Sequence, residues 1–395
     1  MSKSIRVLAS ANAMKGSLSA KEASNMMASG AQKAISKFSE QFGQKFNGEF
    51  LIKPIADGGD DTVDVIADSF YINTIKGPLL DPVEARWGSL GDTAVIEMAK
   101  ASGIALLPED KLDPFTTTTF GTGQLILAAI EKGFKKILLT IGGSATVDGG
   151  IGALAAMGAQ FYDKEDKIIE PYGNSALGKV ARIDFSAFEK FKDVQFSIAC
   201  DVDNILLGDK GSAAIFGPQK LRPSIRNDRE AKMKAVSQMN ANLENFANII
   251  QKTTNKDIRM VKGIGAAGGL SIGFVAVFDA LLRPGSEFIL DMLGITDELH
   301  PDIVITSEGK CDVSTLNNKA PYALIRRFSN SYSIVLTGAI ESEEVEQKLN
   351  DAGASIVMTI EDGAISLSDS MKRCGELMER ASYRAVYSYL RAHFK

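Results

Sequence analysis

Ile141–Ala159 reads IGGSATVDGGIGALAAMGA, and its residue types suit an anion. It follows an apolar run, Lys136–Ile141, expected as a buried strand, and opens a small-residue helix expected to start near Asp148 or Gly149. N–H groups at a helix start lack backbone partners, and the dipole there favours negative charge. Gly142, Gly143 and Gly149 would let the backbone approach a phosphate without a Cβ in the way, with the Ser144 and Thr146 hydroxyls beside them. The plainer reading is a strand-to-helix turn whose glycines serve only tight geometry. Carboxylates recur at other strand ends. Asp57 stands in Ala56-Asp57-Gly58-Gly59-Asp60-Asp61, Asp201 and Asp203 in Cys200-Asp201-Val202-Asp203-Asn204, and Glu308 in Ser307-Glu308-Gly309-Lys310. Acids two apart on extended chain point the same way, a geometry for holding a divalent ion or for one acting as base beside a metal. Lys15 (beside Gly16 and Ser17) and Lys319 fall in comparable loops. Against these stand plainer roles: Asp60 or Asp61 capping a helix, a turn of solvated acids, a solvated lysine.

The elements that would position these groups alternate at both ends of the chain. Strand Ile5–Ala9 leads to a helix opened by Ser19 with Glu22 at capping-box spacing. Strand Phe50–Ile55 leads to a helix over Thr62–Phe70. From Tyr71 the texture changes to short runs, Tyr71–Lys76, Val83–Trp87 and Ala94–Met98, punctuated by Gly77-Pro78, Asp81-Pro82 and Gly91-Asp92, which predicts antiparallel pairing and a boundary near residue 76. Glu97 is either a strand-end ligand or a paired structural acid. A helix is expected to end near Lys132, a strand over Gln195–Ala199, a turn with a lysine at Gly217-Pro218-Gln219-Lys220, and a long surface helix over Ser224–Thr254. From Asp302 the alternation resumes: strands Ile303–Thr306, Ser333–Thr337 and Ser355–Ile360, helices Pro321–Phe328 and Glu343–Asp351, and a last helix from near Ser366. That pattern is a parallel, doubly wound one.

Composition narrows the chemistry. A chain of 395 residues is long enough for two domains, and a net charge of −5 argues against a nucleic-acid partner. Cys200, Cys311 and Cys374 are odd in number and far apart, which fits a reducing, cytoplasmic setting without a disulfide framework. Ile5–Ala9 reads as a first strand rather than a signal peptide. Gly263–Leu282 is long enough for a membrane span, but Asp279 and its Gly-Ala-rich first half favour a buried helix. With only His300 and His393 present, neither in a glycine-rich loop, proton transfer falls to carboxylates or lysines. Gly263-Ile264-Gly265-Ala266-Ala267-Gly268 matches the dinucleotide pattern G-x-G-x-x-G, with Glu287 about 20 residues on. The charged Lys256–Lys262 before it makes a poor strand, so close helix packing explains it better.

Taken in order, these motifs resemble the bacterial glycerate kinase family (glycerate 2-kinase, type I) along nearly the whole chain. The resemblance is carried by Met14-Lys15-Gly16-Ser17-Leu18, Ala56-Asp57-Gly58-Gly59, Ile96-Glu97-Met98-Ala99, Ser102-Gly103 and Phe120-Gly121-Thr122-Gly123. It continues through Gly142-Gly143-Ser144-Ala145-Thr146, Asp148-Gly149-Gly150, Ala199-Cys200-Asp201-Val202-Asp203-Asn204 and Phe216-Gly217-Pro218-Gln219-Lys220. Gly265-Ala266-Ala267-Gly268-Gly269 and Leu282-Arg283-Pro284-Gly285 complete it. The family implies an α/β fold of two domains, a Rossmann-like doubly wound parallel sheet (1–75 with 285–395) and a mixed α/β domain inserted in it (76–284).

The family also implies ATP-dependent, magnesium-dependent phosphorylation of D-glycerate, to 2-phosphoglycerate, at a cleft between the domains. On that reading Gly142, Gly143, Ser144, Thr146 and Gly149 hold the ATP phosphates, with Lys15 and Lys319 neutralising charge. Asp201 and Asp203, or Asp148, hold magnesium, with Glu308 a further candidate ligand. One of Asp57, Asp148 or Asp201 accepts the proton of the glycerate hydroxyl, and the sequence does not choose among them. Arg283 is the candidate partner of the glycerate carboxylate unless it pairs with Glu287, and Ser17 a second substrate contact. The partners expected are glycerate and ATP, with no nucleic acid and no membrane, for a monomer or homodimer. The chain departs from the family at Asn12, Asp60-Asp61, Val147, Lys310-Cys311 and Asn318. Two other readings stay open: a nicotinamide-dependent oxidoreductase using residues 263–268, and a catalytically impaired, ligand-binding member of the family.

Overall fold

The computed structural model describes residues 3–59, 62–316 and 319–395. The expected capping by Asp60 or Asp61, and the departure at Asn318, lie outside the described residues. In chain order the strands are β1 (Lys3–Ala11), β2 (Phe46–Ile52), β3 (Ser69–Lys76), β4 (Pro82–Leu90), β5 (Thr93–Glu97), β6 (Lys136–Thr140), β7 (Gln160–Tyr162), β8 (Arg182–Asp184), β9 (Gln195–Ala199), β10 (Leu281–Arg283), β11 (Ile303–Glu308), β12 (Tyr332–Thr337) and β13 (Ala354–Thr359). They form two α/β domains. By contacts the chain divides into one compact unit of Met1–Asp57 with Ser286–Lys395 and another of Gly58–Gly285.

The first unit carries a five-stranded parallel sheet in the order β13-β12-β11-β1-β2. The inner strands β11 and β12, and β1 from Val7 on, are buried on both faces, whereas the edge strand β2 is not. In β1, Val7, Ala9 and Ala11 enter one core while Leu8 enters the other, and in β11 Ile303 and Ile305 part from Val304 in the same way. Helices Ala20–Phe42 and Cys374–Phe394 fill the first core. They approach so closely that a Cβ on Gly30 would lie 2.2 Å from the Glu379 carbonyl oxygen. The expected capping box is present, with the Ser19 hydroxyl and Glu22 carboxylate each accepting from the other's backbone N–H.

The second unit carries a six-stranded mixed sheet, β10-β9-β6-β5-β4-β3. From β10 to β5 the strands run parallel, whereas β5, β4 and β3 form the antiparallel meander that the turn signals predict. Trp87 is fully buried there, stacked 4.3 Å from Tyr71. The contact division falls at Asp57/Gly58, while the change of sequence texture falls near residue 76. The helix Thr62–Ile66 between them is shorter than expected, since the chain enters β3 at Ser69, and it packs on β4 and β5.

Other boundaries also shift for local reasons. The long helix expected from Ser224 breaks at Asn227, and Asp228 caps Arg229–Thr254, whose Met239, Leu243, Phe246 and Ile250 are buried. The last helix breaks at Arg373 into Leu367–Lys372 and Cys374–Phe394. Gly263–Leu282 contains a 3-10 turn at Ala266–Gly269, the short helix Ser271–Phe278 and the start of β10, and among the described residues no helix is long and apolar enough to cross a membrane.

Candidate active site

In the second unit, candidate groups collect at the carboxyl ends of neighbouring parallel strands. Thr140 of β6 pairs in register with Ala199 of β9, which pairs with Arg283 of β10. Gly142, Asp201 and Arg283 therefore leave adjacent strand tips, where open α/β sheets bind ligands. The Gly58-Gly59 turn lies among them. A Cβ on Gly58 would be 3.9 Å from Asp201 Oδ2, and one on Gly142 would be 3.3 Å from the Gly59 Cα. Asp201 is half-buried, and its Oδ1 accepts from the Gly285 N–H at 2.7 Å, next to the Cys200 N–H that donates to the Arg283 carbonyl at 2.8 Å. Asp203 and Arg283 are exposed. Strand β9 ends at Ala199, so Asp201 and Asp203 lie in the loop that follows it.

The loop after β6 differs from expectation in how little of it is open. Gly142 and Gly143 are exposed, Gly143 in the left-handed region at φ 69°, whereas every residue from Ser144 to Gly150 is buried. The following helix begins at Ile151, not near Asp148, because Gly149 and Gly150 both take positive φ. Added Cβ atoms there would meet the Phe246 ring at 3.0 Å and the Leu270 carbonyl oxygen at 2.4 Å, so these two glycines pack against protein. Asp148 is fully buried. One oxygen accepts from the Thr119 N–H at 2.8 Å and hydroxyl at 2.7 Å, the other from the Gly150 N–H at 3.2 Å, while burial pushes its carboxyl pKa up.

Further supports hold the loop. The Ala145 N–H donates to the Ser102 carbonyl, the Ile104 N–H to Gly143, and the Gly149 N–H to Gly268. The Thr117 hydroxyl reaches the Ala145 carbonyl and the Asn174 amide the Val147 carbonyl. Lys220, read from the sequence as a lysine on a turn, is instead 1% exposed beneath the loop, donating at 2.7 Å to both Ser144 Oγ and the Thr146 carbonyl. Sequence reasoning missed it because nothing in Gly-Pro-Gln-Lys distinguishes a buried lysine from a solvated one. The buried Thr117–Thr119 hydroxyls had a fainter signal in the run of threonines at 116–119. Glu97 resolves as the structural acid: buried, it accepts from the Val63 N–H at 2.6 Å, with Lys100 Nζ at 3.5 Å.

Residues 263–268 do not open a helix after a strand. Gly268 takes φ 70° so that its backbone can lie against the loop, where a Cβ would stand 2.1 Å from the Thr146 carbonyl oxygen. Close packing accounts for these glycines.

The first unit gathers its own charged groups at the carboxyl ends of β1 and β11. Glu308 is buried, with Oε1 taken by Lys319 Nζ at 2.8 Å and Oε2 by the Thr315 hydroxyl at 2.8 Å. Burial raises the Glu308 pKa against the hydrogen bond and charge of Lys319, and Asp57 adds to the rise. Burial works against the Lys319 ammonium, but Glu308, with Asp312 and Asp57, holds its pKa above the usual value. Lys15 is exposed beside this group, its backbone nitrogen 3.9 Å from where a Gly309 Cβ would be. Asn12, at the end of β1, donates its N–H to the Ser307 carbonyl at 3.1 Å. Burial raises the Cys374 pKa, and the nearby Ser17 side chain works against that rise.

For a magnesium ion the available donors are carboxylate oxygens, the right chemistry for a hard cation that takes one or two carboxylates and fills its shell with water and phosphate. Among the described residues no three His, Cys, Asp or Glu cluster as a preformed metal cage. Asp201, already holding Gly285 through one oxygen, and exposed Asp203 fit such a sparse site. Glu308 fits less well, since both of its oxygens are engaged.

Residues 7–390 match the model of the glycerate kinase family. The chain is 34% identical to a glycerate kinase of Bacillus subtilis (strain 168) over 388 residues, 96% of each chain. It is 39% identical to a glycerate 2-kinase of Escherichia coli (strain K12) over 281 residues, covering 69% of this chain and 71% of that one. A crystal structure from Salmonella typhimurium LT2, of a protein provisionally named glycerate kinase 2, superposes with a TM-score of 0.82 at 30% identity over 99% of both chains.

Proposed function

The chain belongs to the glycerate kinase family and is a glycerate kinase, and we propose that it transfers the terminal phosphoryl group of magnesium-bound ATP to glycerate, giving 2-phosphoglycerate. The observation that carries the site reading is the loop after β6: rigidly braced, buried from Ser144 onward, and open only at Gly142 and Gly143. Phosphoryl transfer asks little covalent work of a protein and much positioning, which a fixed backbone edge of glycines supplies. In this reading the Gly142–Thr146 loop receives the ATP phosphates, and Lys15 and Lys319 spread positive charge over them. Asp201, with Asp203, holds the magnesium ion, which when bound neutralises phosphate charge.

Asp57 or Asp201 takes the proton of the acceptor hydroxyl. Asp148 suits that role less, because it is fully buried and its oxygens already hold the Thr119 and Gly150 N–H groups. Arg283, exposed at the tip of β10 two residues from the backbone that Asp201 holds, is the proposed fork for the glycerate carboxylate. Ser17 is retained as a weaker substrate contact. Free Cys200, Cys311 and Cys374 agree with a cytoplasmic setting, and a monomer or homodimer is the assembly proposed.

The test is incubation with Mg-ATP and a panel of small hydroxy acids, followed by phosphorus NMR of the product. The reading expects glycerate to be consumed and the 2-phosphate to form. Formation of the 3-phosphate would correct the regiochemistry, and tight ATP binding without transfer to any acceptor would favour an impaired member of the family.

A further inference from the structure

Lys220 ends a short turn, Pro218–Lys220, that packing fixes in place. A Cβ on Gly217 would stand 2.3 Å from the Ala213 carbonyl oxygen and 2.7 Å from Met239 Cε. The Lys220 N–H closes the turn on the Gly217 carbonyl at 3.0 Å. From this base its side chain runs inward, fully enclosed, to Nζ, which donates to Ser144 Oγ and the Thr146 carbonyl at 2.7 Å each. Both acceptors belong to the segment that follows the exposed Gly142-Gly143 edge. One of them is a main-chain carbonyl, so the bond fixes backbone and not merely a rotamer. Thr146 Oγ1 is buried without a partner among the described residues, so its own side chain does not anchor that backbone.

An enclosed lysine is an expensive way to fill space. Taking an ammonium out of water is costly, and a methionine of similar length would pack without that cost. Burial lowers the Lys220 pKa to about 7, opposed by the charge of Asp148. Amine and ammonium alike can donate the two hydrogen bonds. What a methionine could not do is hold two polar groups of one loop in fixed relation, and precise placement of donors around a moving phosphoryl group is where rate is gained or lost.

We propose that Lys220 is a positioning residue for phosphoryl transfer, holding the Ser144–Thr146 segment from within the protein so that the Gly142-Gly143 edge keeps the shape the nucleotide phosphates need. The proposal rests on the reading that this loop takes the phosphates of ATP. Lys220→Met, Ser144→Ala and the double variant are compared by steady-state kinetics with each substrate varied in turn, beside circular dichroism and melting. Lys220→Met should raise the KM for ATP or lower kcat at least tenfold while the KM for glycerate stays within about twofold. Ser144→Ala should move the same parameter less, and add nothing in the double variant. A folded Lys220→Met with wild-type parameters, or one whose loss falls on glycerate, overturns the proposal. If Lys220→Met does not fold, an unchanged ATP response in Ser144→Ala overturns it equally. Gly143→Ala separates this from the underlying reading: if it spares ATP binding, the phosphate assignment fails. If it weakens ATP binding while Lys220→Met does not, only the role of Lys220 fails.

Discussion

Lys319 Nζ stands 2.8 Å from Glu308 Oε1 at the carboxyl end of β11, and the pair is largely enclosed, with 9% of the Glu308 side chain exposed and 28% of that of Lys319. Glu308 is therefore a holder of Lys319 before it is anything else. Among the described residues, Lys319→Met leaves the buried carboxyl with Thr315 and a nearby Asp57, and the cost of such a charge is avoided by taking up a proton. The expected outcome is a Glu308 that titrates higher, visible by carbon NMR of labelled protein, together with a kcat about 10–100-fold lower from loss of a positioned cation. Wild-type turnover in this variant would remove Lys319 from phosphate neutralisation.

Asp201→Asn tests the other strand tip. The amide oxygen of asparagine can still accept from the Gly285 N–H, so the variant should fold and melt as the wild type does. The substitution removes the charge. If Asp201 carries the magnesium ion or takes the hydroxyl proton, turnover should fall at least ~100-fold, the usual worth of such a group. Undiminished activity at saturating magnesium would take Asp201 out of the site.

Gly268→Ala distinguishes packing from dinucleotide binding. The added methyl would stand 2.1 Å from the Thr146 carbonyl oxygen, at a position already in the left-handed region. Backbone cannot yield there cheaply. Destabilisation of about 2 kcal/mol or more is expected from the clash and strain combined, with ATP binding weakened through the displaced loop. Wild-type protein should show no NADH binding by fluorescence. Tight NADH binding abolished by this substitution would restore the oxidoreductase reading.

Much of this was legible in the sequence because the first unit's signals are local and mutually consistent. The Ser19–Glu22 capping box, the apolar runs of β1, β11 and β12, and the helix Glu343–Asp351 each follow from short-range rules, as does the β3–β5 meander from its turn residues. What was not legible depends on tertiary enclosure. Asp148 and Asp201 look alike in sequence, each an acid beyond a strand in a glycine-rich or polar loop. Only packing makes one a fully buried brace and leaves the other half-open beside Gly58. The helix after β6 starts late for the same kind of reason: the positive φ of Gly149 and Gly150 answers to Phe246 and Leu270, far away in the chain.

Lys220 also predicts how stability varies with pH. Its ordinary pKa of about 10.4 holds in the unfolded chain, while burial lowers it to about 7 in the folded protein. Below about 7 both states carry the proton and this group contributes no slope. Between the two values the unfolded chain binds more protons than the folded one, so stability rises with pH, by up to about 1.4 kcal/mol per unit, and levels off above the unfolded value. Urea denaturation at a series of pH values from about 7 to 9 should therefore show a gain in the wild type that Lys220→Met lacks. Parallel curves for the two proteins would mean that Lys220 keeps its proton in the fold, held by Asp148 more firmly than burial expels it.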